Sequence, residues 1–391
     1  MFRSPLVPIF LVVAVDVLAL TLVLPLLPYY AEHFGATPFV VGTLFASFAL
    51  CQFIAGPILG RISDRVGRKP TLVVSQIGTF IGFLILGFAG SLWMIFLARI
   101  IDGLTAGNLS IAQAYISDVT KPEERTKAFG LIGIAFGGGF LLGPAISGFL
   151  SRYGYQWPAF AAAFLSLVSI ICSIVLLPKV ARVVDTRERI GRLKGFTQFL
   201  TRPRSRRRLL EFFFFTLSFS TMIGGLALFL ERRMGFNAEH TGYVFAFSGL
   251  VGGLIQGGLL GRLVKRFGEE RLSIIGFGAM ALGAALIGTI FGLPTLSMVV
   301  IISGIGSAIT RPSVTTLITK SVEPYEQGAA LGVSQSLASI AQMIGPLVAG
   351  YLIQHEQLGL YGIVSGTFAL IGAAVALRHE REDTEASANQ V

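Results

Sequence analysis

A chain of 391 residues that is 53% hydrophobic and only 13% charged falls outside the range of soluble globular domains, which carry about a quarter charged residues. Four scattered histidines (His33, His240, His355 and His379) and two cysteines in apolar runs (Cys51 and Cys172) offer no metal-ligand cluster, disulfide framework or nucleophilic constellation. No G-x-x-x-x-G-K-[ST] phosphate loop occurs, so the sequence argues against ATP as the energy source, against an enzyme and against any cofactor.

A membrane-crossing helix needs roughly 20 apolar residues. Twelve such runs follow one another: 5–29, 38–60, 71–90, 92–117, 127–150, 157–178, 209–231, 239–262, 272–291, 294–319, 327–352 and 359–377. The first lacks a basic leader and a small-residue cleavage site, and reads as a span rather than a signal peptide. The runs are too long for barrel strands and do not alternate, so an all-α membrane bundle is expected. If residue 1 is cytoplasmic, 26 Lys and Arg fall in inside loops and tails. Only Arg152, Arg232 and Arg233 fall outside. That bias meets the positive-inside rule and places both termini in the cytoplasm. The net charge of +10 is then a topology signal, and nucleic acid is not an expected partner.

The stretch "GRISDRVGRKP" (60–70) returns as "GRLVKRFGEER" (261–271), an offset of 201. "LGPAISG" (142–148) returns as "IGPLVAG" (344–350), and "KPEERTKAFG" (121–130) as "EPYEQGAALG" (323–332), both at 202. Repeated offsets near half the length imply duplicated six-helix halves in parallel orientation. The expected organisation is a first half at 1–178, a basic cytoplasmic linker at 179–208, and a second half with a short tail at 209–391. The linker reads equally as an amphipathic helix on the anionic leaflet or as a solvated tether.

Within the spans, Asp16, Arg99, Asp102 and Arg311 are ionisable. Such residues are costly in a bilayer, so they face a cavity or each other. Arg99 and Asp102 are three apart on one helix face and can pair. An acid whose Arg partner moves away gains proton affinity, which makes the pair a workable proton carrier; a static brace is the alternative. Asp16 reads the same two ways. Arg311, before Pro312, suits an anionic substrate group or an acid, or else braces. Gly139, Gly143, Pro144 and Gly148 form a small-residue stripe with a bend in span five. Gly253, Gly257 and Gly261 suggest similar packing in span eight. Gln52, Asn108, Gln113, Gln256, Gln335 and Gln342 are polar side chains able to line a cavity. Phenylalanines at 212–215, 229 and 245 fit either substrate contact or lipid.

The halves, the loop motif and "DVLALTLVLPLLP" (16–28), "LARIIDGLTAG" (97–107), "AYISDVT" (114–120) and "GGGFLLGPAISG" (137–148) together resemble the major facilitator superfamily. The match is to its twelve-span drug:proton antiporters, which include the tetracycline-resistance efflux pumps. The resemblance implies a secondary transporter in a bacterial inner membrane, monomeric, exporting small amphiphilic drug-like compounds in exchange for protons by alternating access. It implies a gate built from Gly60, Asp64, Arg65, Gly67 and Arg68, with Arg65 and Arg68 reaching Asp118. It also implies a proton-coupling role for Arg99 and a leak-restricting role for the span-five Gly-Pro segment. Asp102 is a departure, and its role rests on chemistry alone. A metabolite importer or exporter on the same fold is the alternative. A scramblase or sensor is disfavoured by the gate motif and the intramembrane acids.

Overall fold

The computed structural model describes residues 6–120, 125–178, 192–323 and 326–388. Among these, every regular element is helical. In chain order they are α1 (Leu6–Val23), α2 (Leu26–His33), α3 (Pro38–Val66), α4 (Arg68–Gly87), α5 (Leu92–Thr105), α6 (Asn108–Val119), α7 (Arg125–Ser151) and α8 (Gln156–Leu176). There follow α9 (Arg192–Thr201), α10 (Pro203–Met234), α11 (Ala238–Leu254), α12 (Leu260–Ala285), α13 (Leu293–Lys320), α14 (Gln327–Gln354) and α15 (Leu358–Ala388).

Span one is broken at Leu24–Pro25, where proline removes a backbone donor, into α1 and α2. Span four is broken at Ala106–Gly107 into α5 and α6. Among the described residues, eleven helical segments are long and apolar enough to cross a bilayer, and one of them, Ala238–Thr289, is 52 residues long. At about 1.5 Å per residue it is more than twice the length of one crossing. It bends at Gly268 (φ 73°, ψ 162°) and so contains two spans. The twelve expected crossings are therefore present. Large apolar side chains such as Ile54, Phe164, Val175 and Leu254 stay exposed along them, as lipid-facing positions require.

The chain forms two compact units. The first is Met1–Thr186 with Leu230–Leu250; the second is Arg187–Phe229 with Val251–Val391. In the first unit, Leu230–Leu250 is fastened by polar contacts. Arg232 pairs with Glu32 at 2.7 Å, Arg152 pairs with Glu239, and the Tyr29 hydroxyl donates to the Phe236 carbonyl at 3.0 Å.

The sequence repeat is also a repeat of backbone and packing. Gly67 (φ 114°, ψ 157°) separates α3 from α4, and Gly268, 201 residues on, bends α12, also at positive φ with ψ extended. Both sit where a side chain would be strained. In the first unit the Thr21 hydroxyl of α1 donates to Gly139 O of α7 at 2.8 Å; in the second, Ser220 of α10 donates to Ala341 O of α14 at 2.9 Å. Gly143 and Gly345 admit these hydroxyl-bearing residues against the helix backbone, each just before a proline (Pro144, Pro346) held inside its helix.

Of the expected linker 179–208, residues 179–191 lie outside those described. The part from Arg192 onward is no loose tether. Phe199 of α9 is fully buried in a core cluster with Leu209, Phe212 and Phe277, and Arg202 and Gln198 bond Glu326 at 2.7 and 3.3 Å.

Candidate coupling and gating sites

The first polar cluster lies inside the first unit. Arg99 and Asp102 are 5% and 3% exposed, and Arg99 Nη2 stands 2.9 Å from Asp102 Oδ2. The one-turn spacing on α5 brings them onto one face. Arg99 is flanked by Phe48 and Phe83, with ring centroids at 5.4 and 5.9 Å, a cation–π setting that stabilises its charge away from water. The approach to Asp102 is off the line of a good hydrogen bond, and Arg99 Nε has no acceptor. The contact is a close ion pair, and the Thr79 side chain also bonds Asp102.

Asp16, half-buried on α1, accepts from Gln76 Nε2 of α4 at 3.2 Å, and the same amide donates to Ser169 of α8 at 2.7 Å. Three helices therefore orient one acid through a single amide. Gln76 was missed at the level of sequence because a lone Gln in an apolar run carries no spacing signal.

The second cluster surrounds the "GRISDRVGRKP" stretch. Arg68 bonds Asp64 at 2.6 Å and Asp118, at the end of α6, at 2.7 Å; Lys69 donates to the carbonyls of Ile174 and Leu177 at the end of α8. Arg68, not Arg65, reaches Asp118; Arg65 is exposed on the turn. Gly67 supplies the left-handed turn. Gly60 does not serve close approach, since nothing lies within 4 Å of the place a Cβ would take.

The second unit repeats this clamp with its charges inverted. Asp64, Arg68 and Asp118 correspond at offsets of 201, 201 and 202 to Lys265, Glu269 and Lys320. Lys320 Nζ pairs with Glu269 at 2.7 Å, as Asp118 pairs with Arg68. The Lys320 ammonium holds the Glu269 carboxyl below its ordinary 4.5. The two clamps differ in burial. The Arg68 side chain is 13% exposed and satisfies two acids, whereas that of Lys320 is 59% exposed. Arg68→Ala is expected to lower stability by about 2 kcal/mol, because charge-assisted bonds to two acids are lost and the acids then repel. Lys320→Ala should cost under about 1 kcal/mol, the range of an exposed pair. Thermal unfolding of both variants in detergent checks the contrast; equal losses would contradict it.

The small-residue stripe packs tightly. A Cβ on Gly139 would lie 2.7 Å from Val17 Cγ1, and one on Gly148 would lie 2.8 Å from Glu239 O. The partners in span eight are Gly242 and Gly249. Gly253, Gly257 and Gly261, the sequence candidates, face open space with nothing within 4 Å.

The cavity candidates divide by exposure. Gln113, Gln256, Arg311 and Gln335 are exposed, while Gln52, Asn108 and Gln342 are half-buried. Asn108 Oδ1 is buried without a donor. Gln256 sits in a π-helical turn, Ile255–Leu259, a distortion that interrupts the span and often accompanies function. Phe212, Phe215, Phe229 and Phe245 are all buried and serve as core. A buried charge pair that the sequence reading overlooked is Arg208–Glu211 at 3.0 Å. It was hidden because Arg208 read as linker and Glu211 as the edge of a span.

Twelve crossings, a duplicated half, a basic turn clamped to an acid and buried intramembrane charges define a multi-pass membrane transporter. The sequence profile described as Major Facilitator Superfamily matches residues 9–285 and 255–390, and the chain belongs to that family. It is 30% identical over 356 residues to the class B tetracycline resistance protein of Escherichia coli, covering 87% of this chain and 86% of that one. It is 29% identical over 340 residues to multidrug resistance protein 1 of Bacillus subtilis (strain 168), covering 87% of each. The fold matches the crystal structure of the human organic anion transporter MFSD10 (TETRAN) with a TM-score of 0.76 at 23% identity, over 96% of this chain and 99% of that one.

Proposed function

We propose that this transporter exports small amphiphilic compounds in exchange for protons by alternating access, with both termini cytoplasmic. The observation that carries the reading is the buried Arg99–Asp102 ion pair, with a second intramembrane acid, Asp16, held by Gln76. A proton taken by Asp102 cancels its attraction for Arg99 and lets the pair separate; re-forming the pair expels the proton. Asp16, held by Gln76, is the second acid in this exchange. The names of the tetracycline and multidrug resistance relatives support drug-like substrates. Gln52, Asn108, Gln113, Gln256, Gln335 and Gln342 are the proposed polar contacts for substrate. Arg311, an exposed cation within an apolar span, favours substrates with an anionic or zwitterionic group. Asp64, Arg65, Arg68 and Asp118 form the proposed gate, and Gly139, Gly143, Pro144 and Gly148 the proposed export-type helix.

The test is proton flux in proteoliposomes holding a pH dye under an imposed gradient. Lipophilic cations, zwitterions such as tetracycline, and anions are added in turn. Compound-triggered proton movement is expected. Counterflow of a metabolite without proton movement would sink antiport and leave an exchanger on the same fold.

A further inference from the structure

A cavity of about 420 Å³ opens at one end of the second unit, where the start of α10, the bend of α12 and the last turn of α13 converge. Four cations line it: Arg204, Arg208, Arg271 and Lys320. Two acids face them, Glu269 and Glu270, and both are engaged. Lys320 holds Glu269 at 2.7 Å, and Arg208 holds Glu270 while its other terminal nitrogen holds the buried Glu211. Arg204 is exposed and has no ion-pair partner among the described residues. Among the side chains that line the hollow, four cations stand against two acids, and Arg204 is left to be matched by an anion. Guanidinium groups match phosphate oxygens in geometry as well as charge. Phe267 and Leu317 supply an apolar shoulder on the same wall. The ends of membrane-crossing helices lie in the layer of lipid phosphates, where a basic pocket between helices suits an anionic headgroup.

We propose that this cavity binds a negatively charged phosphate group, supplied by the headgroup of an anionic phospholipid. A free phosphate ion shares the chemistry, but the apolar shoulder and the position at the span ends favour the lipid. Binding would hold the α12 bend against the end of α13 beside the charge-inverted Glu269–Lys320 clamp.

The experiment is thermal unfolding of the detergent-purified full chain titrated with phosphatidylglycerol, phosphatidylcholine or inorganic phosphate. Phosphatidylglycerol is expected to raise the unfolding midpoint saturably, and zwitterionic phosphatidylcholine to do so far less. In Arg204→Gln/Arg271→Gln the half-saturating phosphatidylglycerol should rise about 30-fold, each basic residue near the headgroup layer contributing roughly fivefold. Arg262→Gln, a cation outside the cavity, should titrate like the parent. Saturation by inorganic phosphate with the same loss in the double variant would uphold the site and overturn the lipid as its source. No shift with either anion, or shifts equal in parent and double variant, would overturn the proposal.

Discussion

Asp102→Asn is expected to abolish compound-driven proton movement, a loss of at least tenfold in flux, while the protein still inserts and folds. Asparagine keeps the volume of the side chain and removes its proton site. Arg99 is then left 5% exposed with no counter-charge, although Phe48 and Phe83 still flank it. Removing one partner of a buried ion pair is strongly destabilising, here up to about 3 kcal/mol. The lost flux has two possible origins, a missing proton carrier or a missing brace, and a second variant separates them. Arg99→Gln/Asp102→Asn replaces the pair with two neutral amides and should recover most of the lost stability. A carrier role requires that flux stays abolished in that double variant. If flux returns with stability, the pair is a brace and the proton is carried elsewhere.

Gly249→Ala is expected to cripple the protein, although it adds only one methyl group. That methyl would overlap the Phe140 carbonyl and lie 2.8 Å from Leu141 N. Gly242→Ala is its twin, with a Cβ 2.6 Å from Pro144 O and 2.8 Å from Gly148 Cα. The obstructing atoms are backbone on both sides, so no side chain can swing away. Forcing α7 and α11 apart should cost about 1–3 kcal/mol, the range of overpacking. Transport should fall by more than tenfold if the α7 segment has the sealing role proposed for it. Gly253→Ala is the control: its Cβ meets nothing within 4 Å, and alanine favours helix by up to about 1 kcal/mol over glycine. Unfolding midpoints and flux measured on all three variants decide the matter. Equal behaviour at 249 and 253 would show that the close packing of α7 and α11 is not required.

The loop motif was readable because it is continuous in sequence. Gly67, Arg68 and Asp64 act within one turn and its flanks, so their spacing carries the geometry. The pairing of Arg99 with Asp102 was readable for the same reason, being one helical turn. The inverted clamp was half-readable. Lys265 stood visibly opposite Asp64 in the repeat, but the match of Glu269–Lys320 to Arg68–Asp118 needs a contact across about fifty residues. The glycines of span eight show the limit most plainly. Their spacing singled out 253, 257 and 261, yet 242 and 249 do the packing, because helix rotation decides which face meets α7. Periodicity alone does not report that rotation when every face is apolar.

By itself, then, the sequence determined the solvent, the number of crossings, the duplication and the charged turns. These follow from run length, charge asymmetry and local spacing, all properties of neighbours along the chain. Only the tertiary structure decided that Gln76 bridges Asp16 to Ser169, that Arg68 rather than Arg65 reaches Asp118, and that α9 is anchored through Phe199 and Arg202. Those depend on how apolar helices rotate and stack against one another. In a bilayer, packing of small and polar side chains settles that arrangement, because burial of greasy surface no longer distinguishes one face from the next.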